Sequence, residues 1–321
     1  METAYKTVAF EVDQKIRPKL SILIASYQSG EKLYKTLESV YSQKYDSLEV
    51  IICDDGSDDF DERHLIRLEK KYPTKLLRHL SNVGTVRNLN DGLLLCNGEW
   101  IMLLAADDAL VNDNTIVDVM KRAENSNSQW LIGTALLCNM DLHPIGRIVP
   151  IEEQRCLLRT GDVPEIWGQL CKSCFLPSCG TIYHRELLQR LGGFDLRYQL
   201  VEDWPIFLKL VRFDILPELI ETPITLHRAN GVSQKEAGRN LRYQTDLIEI
   251  MRKEILPYLD LLPAETRREI ETLCQDKEAF FQLRFESITW KEKIHWIFAH
   301  KDAIIRKIIQ RGRKQYCVEK L

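Results

Sequence analysis

The stretch Leu48-Glu49-Val50-Ile51-Ile52-Cys53-Asp54-Asp55 decides how the rest of the chain is read. Its apolar run has strand length and lacks the alternation of a half-exposed strand, so it predicts a strand buried on both faces. Strands of that kind belong to parallel sheets covered by helices, and this one ends in two carboxylates.

Working outward, residues 20–25 read as a first strand, and Ser29 suits the cap of a helix with Leu33, Leu37, Val40 and Tyr41 on one face. Leu65, Leu68 and Tyr72 mark a second helix before Pro73, and residues 76–80 a short strand. Val86, Leu89, Leu93 and Cys96 line a third helix, with Gly98 as its C-cap; residues 100–105 form the next strand and run into Asp107-Asp108. The alternation predicts an α/β fold, a parallel sheet flanked by helices.

Residues 1–18 are expected to be an N-terminal extension, 19–110 the first half of one α/β domain, and 111–237 a less regular second half of the same domain. That second half shows a helix near 115–124, a strand at 130–137, and a stretch rich in Pro, Gly and Cys up to Gly180. Residues 238–321 hold no glycine between Gly238 and Gly312 and predict a C-terminal helical appendage.

With 321 residues, 45% hydrophobic and 28% charged, the chain has the make-up of a soluble protein with a sizeable core, which excludes fibrous and disordered classes. Its apolar runs fall well short of the roughly 20 residues that span a bilayer, and its first residues lack a signal-peptide core, so a cytoplasmic location is expected. Nine scattered cysteines suit a reducing compartment. Cys171, Cys174 and Cys179 cluster, but a zinc site there would need His184 as its fourth ligand.

Both acidic pairs, Asp54-Asp55 and Asp107-Asp108, stand where a buried strand ends, which is where open α/β sheets bind ligands. Asp is also a common turn residue, so either pair alone is ambiguous; two pairs on one sheet favour a site. Such carboxylates can hold Mg²⁺ or Mn²⁺ together with substrate phosphates. The glycine-rich phosphate cradles are missing, so phosphate binding must rest on metal and basic groups. Glu202-Asp203, ahead of an apolar helix, is either a dipole-complementing helix start or a general base. His227 reads as a packed histidine or a ligand to metal or phosphate.

The motifs, taken in order, resemble family-2 glycosyltransferases of the GT-A fold, a Rossmann-like nucleotide-diphospho-sugar transferase. The likeness starts with Leu20-Ser21-Ile22-Leu23-Ile24-Ala25-Ser26-Tyr27 and Asp54-Asp55-Gly56-Ser57, and continues through Asn82-Val83-Gly84 and Asn90-Asp91-Gly92 to Ala106-Asp107-Asp108. It extends to Gly192-Gly193-Phe194-Asp195 and Glu202-Asp203-Trp204, covering roughly residues 19 to 235. The resemblance implies that residues 19–110 bind the nucleotide sugar and 111–237 the acceptor, that Ala25 and Tyr27 line a base pocket and that Asp55 bonds a uracil-like base. It implies that Asp107 and Asp108 form the metal and ribose site, that Asp203 is the catalytic base and that His227 touches metal or diphosphate. Ala25 departs from the family, where Thr or Pro is common, and residues 141–174 match no pattern of it.

The resemblance further implies an inverting transferase that moves a sugar from a UDP-type donor to a glycan or polyprenyl-linked glycan in cell-surface polysaccharide synthesis, with Mn²⁺ or Mg²⁺. A nucleotidyltransferase would need a basic glycine-rich loop where Ser26-Tyr27-Gln28-Ser29-Gly30 stands; a degenerate binding subunit is the non-enzyme alternative. No nucleic acid is expected as a partner.

Residues 291–314 hold eight Lys or Arg against Glu292 and Asp302, a local +6 that leaves −9 elsewhere. Trp290, Ile294, Ile297, Phe298, Ile304, Ile305, Ile308 and Ile309 fall on or near one helical face. That pattern fits a helix lying on an anionic membrane surface or one packed on the catalytic domain.

Overall fold

The computed structural model describes residues 5–10, 19–228, 240–285, 300–302 and 304–306. Residues up to Asp246 form one compact unit and those from Leu247 a second.

In the first unit β2 (Leu20–Ser26) lies between β3 (Leu48–Asp54) and β5 (Trp100–Ala105), all parallel, with β4 (Thr74–His79) beyond β3. Leu20, Ile22, Leu23 and Ile24 are buried completely, as are Val50, Ile51, Ile52 and Cys53. Side chains of both parities are covered, which is why these strands do not alternate. Leu33, Leu37 and Val40 of α1 (Glu31–Tyr41) join Ile22, Ile24, Val50 and Ile52 in one core cluster. The opposite face meets α3 (Thr85–Leu93), where Gly92 allows close approach: a Cβ there would lie 2.3 Å from Cys53 Sγ.

Beyond β5 the expected parallel arrangement fails and the sheet becomes mixed. β9 (Thr181–His184) runs antiparallel between β5 and β7 (Trp130–Cys138), and β10 (Glu218–Arg228) lies parallel beside β7. Two-residue β6 (Ala109–Leu110) closes that edge antiparallel to β10, and β8 (Pro144–Val149) pairs with β7. At the far edge β1 (Tyr5–Phe10) is antiparallel to β4, a strand within what the sequence presented as an extension. Strands this short or this exposed carry too little pattern to show their direction.

Other local expectations are corrected. Gly30, not Ser29, occupies the N-cap of α1, and the Ser29 hydroxyl turns back to the Tyr27 carbonyl. The second helix, α2 (Glu62–Arg67), stops before Leu68 and Tyr72. Gly98 is not a cap: its N–H bonds Ser21 Oγ at 2.9 Å, and a Cβ would meet the Ser21 backbone. After α4 (Thr115–Glu124), the punctuated middle stretch contains two helices, α5 (Glu152–Thr160) and α6 (Val163–Lys172), that its composition hides.

α7 (Arg185–Leu191), α8 (Asp203–Arg212) and the start of α9 (Leu241–Ile250) complete the first unit. The second continues from α9 through a π-turn at Met251–Ile255 and a 3₁₀ segment at Leu256–Leu261 to α10 (Ala264–Phe285), with Ile255, Ile270 and Cys274 buried. No described helix is long and apolar enough to cross a membrane. Most of the basic amphipathic stretch lies outside the described residues.

Because β3 and β5 flank β2 on opposite sides, the strand order reverses there. Open α/β sheets bind ligands in the crevice at the carboxyl end of such a switch point.

Candidate active site

At the end of β3 the two carboxylates divide their work. Asp54 is consumed by the turn, accepting the Ser57 N–H and hydroxyl at 3.1 and 2.5 Å and the Arg78 guanidinium at 3.3 Å. Asp55 accepts one backbone N–H on each oxygen, from Val83 at 2.7 Å and Gly84 at 3.0 Å, which leaves acceptor capacity on both. Burial pushes its pKa up to about 6 in spite of those bonds. On β2 the Ala25 carbonyl accepts the Ala106 N–H at 2.9 Å, and Tyr27 stands half-exposed just beyond.

Asp107 and Asp108 follow β5, and Asp108 is fully buried. The antiparallel register of β10 with β6 sets Leu226 opposite Ala109, so the next residue, His227, comes beside Asp108. His227 Nδ1 lies 2.9 Å from Asp108 Oδ2, and the Arg228 N–H donates to Oδ1 at 3.2 Å. Burial disfavours a charged imidazole, yet Cys179 and Asp108 outweigh it and push the His227 pKa up to about 11. Burial, then the neighbouring Asp108, hold Asp107 above its ordinary value.

Sequence reasoning grouped Cys179 with Cys171, Cys174 and His184; the structure sets it instead beside Asp108 and His227. Its thiol, the Asp108 carboxylate and the His227 ring lie with their ligand atoms within 4.8 Å of one another. The clue available in the sequence was the cysteine cluster; Cys171 and Cys174 lie outside this group of three. The sulfur is the soft donor of the three and favours Zn²⁺, whereas Mn²⁺ or Mg²⁺ would rest chiefly on the carboxylates together with substrate phosphates.

The third acidic pair opens α8. Asp203 Oδ1 accepts the Trp204 N–H at 2.7 Å, and the Cys174 thiol donates to Oδ2 at 3.8 Å. The Ser178 hydroxyl bonds Glu202. Both acids touch solvent only over part of their surface, and crowding by protein leaves their carboxyls poorly solvated. Burial and then the Asp203 charge push Glu202 up to about 8; burial also raises Asp203. Both carboxyls are therefore harder to ionise than free ones.

A single segment, residues 174–179, thus reaches both clusters: Cys174 and Ser178 meet the α8 acids, and Cys179 meets Asp108 and His227. Other motif residues serve the scaffold. Asn90 exchanges two hydrogen bonds with Phe194; Asn88, between two of the motifs, holds the Cys53 carbonyl.

Residues 21–192 match the family model described as glycosyl transferase family 2. Poly-beta-1,6-N-acetyl-D-glucosamine synthase of Staphylococcus epidermidis is 26% identical over 202 residues, which span 61% of this chain and 46% of that protein. Among solved structures, S. aureus TarS 1–349 in complex with UDP-GlcNAc superposes with a TM-score of 0.58 at 19% identity, over 89% of this chain and 80% of that one. The mannosyltransferase PcManGT from Pyrobaculum calidifontis, in complex with GDP-Man and Mn²⁺, gives 0.53 at 16% identity over 92% and 88%. These structural likenesses establish a shared glycosyltransferase fold.

Proposed function

The chain belongs to glycosyl transferase family 2 and is a transferase, and from that premise we propose that it moves one sugar, with inversion, from a UDP-sugar to a hydroxyl of a glycan or polyprenyl-linked glycan in cell-surface polysaccharide assembly. The UDP-GlcNAc bound by TarS and the N-acetylglucosamine polymer named for the staphylococcal synthase support a UDP-linked donor and a polysaccharide product.

The observation that carries this reading is the segment 174–179, which ties the Asp108–His227 cluster to the Glu202–Asp203 pair. A donor bound across the switch point would place its base near Ala25, Tyr27 and Asp55 and its diphosphate near Asp107 and Asp108. Asp108 and His227, with Asp107 beside them, would hold a divalent ion, which when bound supplies positive charge to the departing diphosphate. Asp203 accepts the proton of the acceptor hydroxyl as it attacks the anomeric carbon opposite the leaving group. A single displacement inverts the centre and needs no covalent intermediate. The net +6 charge of residues 291–314 supports docking on an anionic membrane surface, which would bring a lipid-linked acceptor to the site.

The test is a donor screen: UDP-, GDP- and TDP-sugars are supplied with Mn²⁺ and released nucleotide is measured. A UDP-sugar should give the highest rate. Preference for a GDP- or TDP-sugar overturns the donor, and release from none overturns the transfer reading.

A further inference from the structure

The loop that delivers Glu202 and Asp203 has no regular structure of its own, and its position is set from outside the sheet. Asp246, on α9, is 4% exposed. A single oxygen of its carboxylate, Oδ2, accepts three successive backbone N–H groups, from Gln199 at 2.9 Å, Leu200 at 2.7 Å and Val201 at 3.2 Å. The next two residues are the acids themselves.

The same loop is fixed from the donor side. The Gln199 carbonyl accepts the Val86 N–H at 3.1 Å, and Gly84 approaches so closely that a Cβ would lie 2.7 Å from that oxygen. Gly84 has φ +94°, which few residues with a Cβ adopt, and its own N–H is bound by Asp55. Arg242, one turn before Asp246, reaches Asn82 at 3.3 Å. Contacts therefore run from Asp55 through Gly84 and Gln199 to Asp246, with the Glu202–Asp203 pair at the end of the clamped loop.

We propose that Asp246 is a positioning residue for the transfer step: it holds residues 199–201 in place and so fixes where Asp203 meets the acceptor hydroxyl. Removing the carboxylate leaves three adjacent N–H donors without an acceptor, and the loop must shift to find water. A displacement of about 1 Å at a base can cost on the order of 10²-fold in rate without touching substrate binding.

This proposal rests on Asp203 being the base, and its test separates the two. Full-length wild type, Asp246→Ala and Asp246→Asn are compared by hydrogen exchange over residues 199–201, by donor dissociation constant and by kcat. In Asp246→Ala the three amides should exchange at least about tenfold faster and kcat should fall about 10- to 100-fold, with donor affinity unchanged within about twofold. Asp246→Asn keeps an acceptor oxygen and should recover most of both effects; if the alanine variant does not fold, Asp246→Ser, too short to reach all three amides, takes its place with the same expected losses. Amides that stay protected in a folded Asp246→Ala overturn the proposal, as does a loosened loop with wild-type kcat. An inactive wild type overturns the transfer reading, and the proposal with it.

Discussion

His227 Nδ1 sits 2.9 Å from Asp108 Oδ2, although 119 residues separate the two in sequence. The contact follows from the antiparallel pairing of β10 with β6, which brings the end of the last strand back to the acid that follows β5. It makes the two residues one unit, so that removing either disturbs the other.

Asp108→Ala should abolish metal-dependent turnover in a protein that still folds. Losing a buried carboxylate that would ligate a divalent ion is expected to cost several kcal/mol of transition-state stabilisation. Released-nucleotide rates with Mn²⁺, alongside circular dichroism, decide the matter; a folded variant within about threefold of wild type refutes the role.

Asp203→Asn should bind donor normally yet lose transfer by about 10²- to 10⁴-fold, because the amide keeps the shape and cannot accept a proton. Calorimetry measures the first half and a rate assay the second. Parallel loss of both would assign Asp203 to structure.

Glu202 makes stability depend on pH with a definite sign. Its folded pKa, about 8, lies above the ordinary 4.5, so the folded state holds a proton that the unfolded state releases in between. The stabilisation from this group is full below about pH 4.5 and is lost as pH rises toward 8. Melting temperatures of wild type should therefore fall more steeply across that window than those of Glu202→Gln. Superimposable pH profiles would show that Glu202 titrates normally.

Cys179→Ala should separate hard from soft metals. Thiolate ligands favour Zn²⁺ over Mn²⁺, so the variant should lose Zn²⁺ affinity at least about tenfold while Mn²⁺-supported turnover stays within about threefold. Competition of Zn²⁺ against Mn²⁺ in the rate assay reads this directly. Equal weakening of both ions would mean that the thiol acts only through packing.

A version ending near residue 287 should lose binding to anionic vesicles that the full chain shows at low salt, because surface electrostatics of this kind are screened at high salt. Co-sedimentation with and without anionic lipid tests it. Equal binding by both versions, or by neither, removes the membrane role.

The sequence by itself determined the parallel block and the positions of its acids. Residues 48–55 and 100–108 read correctly because burial on both faces leaves a continuous apolar run, a local signal that ends where the strand ends. It could not show that Asp54 belongs to the turn while Asp55 reaches the 83–84 loop, since both are the same residue type in the same place. Nor could it supply Cys179 beside His227, the mixed half of the sheet, or Asp246 beneath the loop at 199–201. Those depend on strand register and on contacts between segments far apart in the chain. Periodicity records which side of an element is buried, not which element buries it, and that second choice is made only when the whole chain packs.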